Sequence, residues 1–380
     1  MDLELLTQRF AENFERFGEL GASVSVWRQG EPLLNLGQGV WDSRRSRPWT
    51  VKTPVLIWSA TKALTSTCLL VLCDRLGLDL NRPVTEFWPE YAAAGKAATT
   101  LCHVLAHQSG QVALRDRSIS VLDHAEVAAA LAAQQPFWSA GDGHGYHART
   151  YGFLVDELVR RLSGVTLGRF FAREIQEPLE LDLWIGLPAQ LANQVAPIQA
   201  ARKARESSFE DPFYERLAEP DSLTRAAFST PAGLPAPSMM NATAVRQHEI
   251  ASFGGIGTAE SLAKFYVAVW LQPGFLKANT WRLAQTTLSS GIDRVLNLPT
   301  AFSSGFMQDP VNAHGKKGRQ IMGPNQSAFG HPGAGGSLAF CDPVDQLCFA
   351  YVMNQMEPGV FPNQKSLRLV ECLYAHGLYL

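Results

Sequence analysis

The sequence predicts a mixed α+β fold: an antiparallel sheet built from strands at both chain ends, flanked by helices, with a mostly helical region inserted between them. Three observations predict it. Residues 22–28 (ASVSVWR) and 32–41 (PLLNLGQGVW) read as two strands around the turn Gln29-Gly30-Glu31. Residues 337–341 and 347–354 read as a second hairpin around Asp342-Pro343-Val344-Asp345. The stretch between the two pairs is dominated by helical periodicity. With 380 residues the chain is long for one simple core. The reading therefore divides it into a discontinuous sheet domain, 1–75 and 255–380, and an inserted helical domain, 76–254.

The elements follow in order. Leu3, Leu6, Phe10, Phe14 and Phe17 recur at helical spacing and predict an amphipathic surface helix at the start. The apolar run from Val55 leads into a helix over 59–76, stopped by Gly77. Residues 80–91 are irregular. A short helix is expected over 100–109, closed by Gly110, and further helices over 124–133 and 151–162, the latter stopped by Gly164. Residues 203–250 carry Pro, Ser and mixed charges and read as a surface excursion rimming a site. Helices at 259–271 and 364–376 complete the pattern. There is no internal repeat.

Composition narrows the function. The chain is 46% apolar and 18% charged, with a formal net charge of -2 and no run of like charges, which argues against a nucleic-acid partner. The first residues, MDLELLTQRFAENFERF, are acidic early and lack an apolar signal core, so a cytoplasmic location is expected. From 53 to 73 the only charge is Lys62. Pro54 and the several Ser and Thr make that run a buried core helix rather than a membrane span. The six cysteines form no C-x-x-C pair and are expected to be reduced, mostly buried thiols; Cys341 and Cys348 can face each other across the last hairpin.

Ser59-Ala60-Thr61-Lys62 is the most informative tetrapeptide. On a helix, residues three apart share a face. A serine hydroxyl is a weak nucleophile until a base takes its proton. A lysine can be that base once burial lowers its pKa, and an apolar helix supplies burial. A serine that caps the helix and a lysine that reaches to the surface would satisfy the same four residues. Ser261-Leu262-Ala263-Lys264 repeats the spacing inside an ordinary amphipathic helix.

Two later segments bear on the choice. Residues 138–152 form a Gly- and aromatic-rich loop running into a helix, where Tyr146 can act as a proton shuttle or simply pack at the junction. Residues 329–337 (FGHPGAGGS) hold four glycines, which suits either a plain turn or an edge strand whose backbone N–H joins that of Ser59 in an oxyanion hole.

Taken together, Ser59–Lys62, Tyr146-His147-Ala148 and His331-Pro332-Gly333 resemble, in order, the S-x-x-K, Y-x-N and K-T-G or H-x-G signatures of the family that includes class C β-lactamases, DD-peptidases and family VIII carboxylesterases. The stretches 105–110, 146–152 and 350–354 agree with its esterase side, and the likeness spans about residues 15–376. The resemblance implies Ser59 as nucleophile, Lys62 as base, Tyr146 as proton relay, and the N–H groups of Ser59 and Ala334 as oxyanion donors. It implies His331, Gly333, Trp58 and His147 as substrate contacts, no cofactor, and a small-molecule ester as substrate. Ala148 departs from the pattern by lacking the amide, and His331 replaces the lysine that would recognise a penicillin-type carboxylate. Amide hydrolysis or acyl transfer, and a degenerate member retained only for binding, are the other readings. His103 and His107 stand four apart without the Glu of a zinc helix, so no metal is expected.

Overall fold

The computed structural model describes residues 1–202 and 205–374. The expected fold class is the one the chain adopts. Eleven strands fall in chain order: β1 Gly21–Arg28, β2 Glu31–Gly39, β3 Val55–Leu56, β4 Leu183–Trp184, β5 Ile256–Gly257, β6 Ser289–Ile292, β7 Pro299–Phe302, β8 Met307–Gln308, β9 Phe329–Pro332, β10 Leu338–Asp342 and β11 Leu347–Met353. Eight of them make one antiparallel sheet in the order β2-β1-β11-β10-β9-β8-β7-β6. The two chain ends meet one strand in from its β2 edge, where Ala22 pairs with Met353 and Arg28 with Leu347.

Every residue of β11 is buried, because both faces of the sheet are covered. On one face lie the helices Leu3–Arg16 and Gln364–Leu373; Phe10 meets Tyr351 edge-on at 6.4 Å. On the other lies the helix Ala259–Tyr266, with Tyr266 and Trp270 packed on Phe329. The Tyr351 hydroxyl donates to buried Glu19 at 2.6 Å, and Lys365 bridges Glu19 and Glu357 at 3.3 and 3.0 Å. Cys341 and Cys348 are cross-strand neighbours, and all six cysteines are free thiols.

The helix Thr61–Leu76 is buried at every position from Thr61 to Cys73. A helix apolar all round belongs in a core. Gly77, at φ 65°, ends it, and the Leu78 N–H returns to the Cys73 carbonyl. Among the described residues no helix is long and apolar enough to cross a membrane.

Several boundaries differ from the sequence reading, each for a local reason. The helix expected from residue 59 begins at Thr61, because Trp58–Ala60 form a separate 3-10 turn entered through a left-handed Trp58 (φ 50°). The helix expected over 100–109 is only Leu101–Leu105, since His107 is left-handed (φ 59°). Strand 32–41 stops at Gly39, also at positive φ. The 259–271 helix widens into a π-helical turn at Val267–Leu271. The excursion at 203–250, apart from 203–204 outside the described residues, holds the helices Asp211–Ala218, Leu223–Ser229 and Thr243–Gln247. The last helix ends at Leu373; positions 375 and 376 lie outside the described residues. The reading missed β6, β7 and β8, which are short and contain Ser, Gly and Pro, and the small sheet β3-β5-β4, whose strands have two residues each. The segment at 329–332 is not an outer edge: β10 flanks it on one side and β8 on the other. Its pairing with β8 is confined to Met307 and Gly330, so the later half of β9 is open on that side.

Within the helical region the backbones of two distant segments nearly touch at Gly152. A methyl group there would lie 2.3 Å from the Ser252 nitrogen and 2.4 Å from the Ala251 carbonyl carbon. Gly152→Ala is expected to destabilise the protein by about 1–3 kcal/mol in urea unfolding, the usual range for overpacking a rigid interior.

Candidate active site

The site is assembled around the turn Trp58–Ala60. Ile57 N–H donates to the Gly255 carbonyl at 2.9 Å, and Gly255 N–H donates to the Thr61 hydroxyl at 2.8 Å. The Thr61 hydroxyl in turn donates to the Trp58 carbonyl. These bonds hold Trp58 in its left-handed conformation, which an unsupported bulky residue avoids. Ser59 emerges from the turn three residues before Lys62.

Lys62 is fully buried, and its Nζ has three neighbours: Ser59 Oγ at 3.3 Å, the Ala148 carbonyl at 3.0 Å and the Ser252 carbonyl at 2.9 Å. Among the described residues no carboxylate pairs with it, and burial alone pulls its pKa well below the ordinary lysine value. Carbonyls can only accept, so Ala148 and Ser252 each take an N–H of Lys62. The remaining position on the nitrogen faces the Ser59 hydroxyl.

Tyr146 closes the other side. Its ring centroid lies 4.8 Å from Lys62 Nζ, and it stacks on Phe302 at 6.2 Å with 8° between planes. Burial raises its phenol, against an opposing pull from Ser59. Its backbone N–H donates to Asp293 Oδ1 at 3.1 Å. The same buried carboxylate accepts from Val295 and Leu296 N–H at 2.8 Å and from the Thr300 hydroxyl at 3.1 Å. His144 Nε2 meets that hydroxyl at 2.8 Å.

The end of β9 reaches the same point. A methyl on Gly333 would lie 2.4 Å from the Ile57 carbonyl and 3.2 Å from Trp58 Cβ, so the close approach requires glycine. Ala334 begins the 3-10 turn Ala334–Gly336. N–H groups in the first turn of a helix have no partner within it. His331 is buried 5.9 Å from the Tyr146 ring. Its Nδ1 lies 2.7 Å from the Pro332 carbonyl, its Nε2 has no protein partner, and burial pulls its pKa down to about 3. It is uncharged at neutral pH.

Thus Ser59, Lys62, Tyr146, Trp58, His331, Gly333 and Ala334 converge. His147 does not join them. Its Nδ1 lies 2.7 Å from the Gly145 carbonyl and its Nε2 2.7 Å from Ser109 Oγ, while its N–H donates to His107 Nδ1 at 3.0 Å. It braces the Tyr146 loop from behind. His103 and His107 do not share a helix face: the His103 ring accepts from the Thr100 N–H and closes a helix cap, while His107 packs 5.2 Å from Tyr146. In the second S-x-x-K pair, the Ser261 hydroxyl accepts from the Asp182 N–H.

The chain matches the Beta-lactamase family over residues 10–371. It belongs to the beta-lactamase family. It is 31% identical to the Mycobacterium tuberculosis protein "Esterase/beta-lactamase LipL" over 357 residues, covering 92% of this chain and 81% of that protein. A solved family VIII carboxylesterase superposes with a TM-score of 0.85 at 32% identity, covering 98% of this chain and 96% of that one. A penicillin-binding protein homologue from Caulobacter crescentus gives the same TM-score, 0.85, and the same identity, 32%, with coverage again 98% and 96%. The protein is therefore a serine hydrolase of the beta-lactamase family.

Sequence reasoning missed Thr61, Ser252 and Asp293. Ser252 supplies its carbonyl to Lys62, and its hydroxyl accepts from Gly152 N–H and donates to the Arg149 carbonyl. The doublet Gly254-Gly255 just after it was the available signal. Asp293 follows a four-residue strand and carries no local signature.

Two outcomes are expected. Asp293→Ala should lower kcat by about 10–100-fold with KM little changed, because small misplacements of a reacting group have effects of that size. Lys62 gives the second. Between its lowered native pKa and the ordinary value of 10.5, the unfolded chain binds a proton that the native chain does not. Stability therefore rises with pH across that window. In urea unfolding at several pH values, Lys62→Met should flatten that slope.

Proposed function

We propose that the protein is a carboxylesterase acting on small, short-acyl esters through an acyl-enzyme on Ser59. The observation that carries the reading is the buried, unpaired Lys62 amine at 3.3 Å from the Ser59 hydroxyl. Lys62 takes the Ser59 proton as Ser59 attacks the ester carbonyl. The new ammonium keeps its two carbonyl acceptors and lies under the face of Tyr146, an attraction that exists only once charge has formed. The N–H groups of Ser59 and Ala334 receive the oxyanion. Tyr146 passes the proton on to the departing alcohol. Water then cleaves the acyl-enzyme by the same relay in reverse.

Neutral His331 favours an ester over a β-lactam. A penicillin-type substrate carries a carboxylate beside the scissile bond, and an uncharged imidazole recognises it less well than a lysine. Trp58, Gly333 and His331 line the approach to Ser59 in this reading, and His147 supports the relay loop without meeting substrate.

The test is initial-rate hydrolysis of short and long 4-nitrophenyl esters beside a chromogenic cephalosporin. Short esters should turn over and the cephalosporin barely. Ser59→Ala should lose on the order of a thousandfold or more in kcat, and Tyr146→Phe roughly 100-fold or more. Full ester turnover by Ser59→Ala overturns the nucleophile. Rapid cephalosporin turnover with negligible ester turnover overturns the substrate class.

A further inference from the structure

A cleft of about 510 Å³ adjoins the candidate site, on the far side of Phe228. The Phe228 ring faces Tyr146 at 6.4 Å, so one side chain walls both spaces. Arg149 and Arg225 line the cleft, and no acidic side chain does. Arg149 is only 8% exposed. Its guanidinium donates to the Gly233 carbonyl at 2.7 Å and more weakly to the Phe228 carbonyl at 3.4 Å, and it lies over the Phe253 ring. Its Nε is buried and has no partner among the described residues.

Buried charges are normally paired. Elsewhere in this chain Lys317 meets Asp309, and Lys365 meets Glu19 and Glu357. Arg246, which also lacks an acid, engages the carbonyls of Ala192, Val195 and Ala196 and the Asn241 side-chain oxygen. Arg149 combines a cleft along its side chain, a weakly engaged guanidinium nitrogen and no counter-ion among the described residues. Burial lowers its pKa only to about 10, so it stays charged at neutral pH. A guanidinium is the side chain suited to a carboxylate, which it can bind through two parallel hydrogen bonds.

We propose that the cleft at Arg149 is a substrate subsite for a carboxylate, so that the preferred esters carry an acid group on the acyl or the alcohol part, remote from the scissile bond. The proposal rests on the esterase reading for its kinetic arm only. The remote acid does not conflict with neutral His331, which concerns a carboxylate beside the reacting carbonyl.

The first readout does not need turnover. Glutarate should raise the melting temperature of the wild-type protein, and glutaramide should not. The shift should vanish in Ser229→Glu, where an exposed residue lining the cleft brings its own carboxylate to the arginine. It should also vanish in Arg149→Gln if that variant folds. The second readout compares kcat/KM within two pairs: mono-4-nitrophenyl glutarate against 4-nitrophenyl pentanoate, and 4-acetoxybenzoate against 4-methylphenyl acetate. The anionic member of at least one pair should be preferred about tenfold, the scale of one charge-assisted hydrogen bond pair. Ser229→Glu or about 0.5 M salt should reduce the preference. An absent glutarate shift overturns the subsite, and so does a neutral preference in both pairs or a ratio unmoved by Ser229→Glu. A glutarate shift without turnover of any ester keeps the subsite and overturns the esterase reading instead.

Discussion

The structure turns on an amine buried without a counter-ion. Lys62 lies on the core helix, Ala148 just before the helix that starts at Tyr151, and Ser252 just before β5. Three segments far apart in sequence converge on one nitrogen. Taking an ammonium out of water is costly, and among the described residues no acid offsets it, so burial pulls the group well below the ordinary lysine pKa. Two carbonyl acceptors fix the orientation of the nitrogen beside Ser59.

That arrangement requires close approaches that ordinary side chains forbid. Gly333 lets the end of β9 touch the turn that carries Ser59, and Gly255 lets a second backbone touch Thr61. The left-handed Trp58 is a conformation that costs on the order of 1–3 kcal/mol and persists only where its surroundings impose it. The Thr61 hydroxyl, Gly255 and Ile57 impose it by hydrogen bonds.

Tyr146 is placed by what stands behind it. Asp293 holds its backbone, Phe302 stacks on its ring, and His107 and His147 fill the space beneath its loop. These groups enclose Tyr146 on the side away from Lys62. The loss of the family's amide at Ala148 has a plain counterpart in this geometry. The backbone carbonyl of the same residue serves Lys62, and a carbonyl does not depend on the side chain.

The sequence by itself determined the fold class, the serine–lysine spacing and the candidate tyrosine. These are written in local periodicity, in two hairpin patterns and in short motifs, and each depends on residues within a few positions of one another. It placed His147 at the substrate, whereas the tertiary structure turns that ring toward Gly145 and Ser109. It was silent on Ser252 and Asp293, whose roles arise 190 residues from Lys62 and 147 residues from Tyr146. It missed β6 to β8, because strands of two to four residues containing Ser, Gly and Pro have no periodicity to read; their pairing partners define them. Only the tertiary structure decided that Lys62 meets no acid among the described residues, and that absence of a neighbour is what no local pattern can encode.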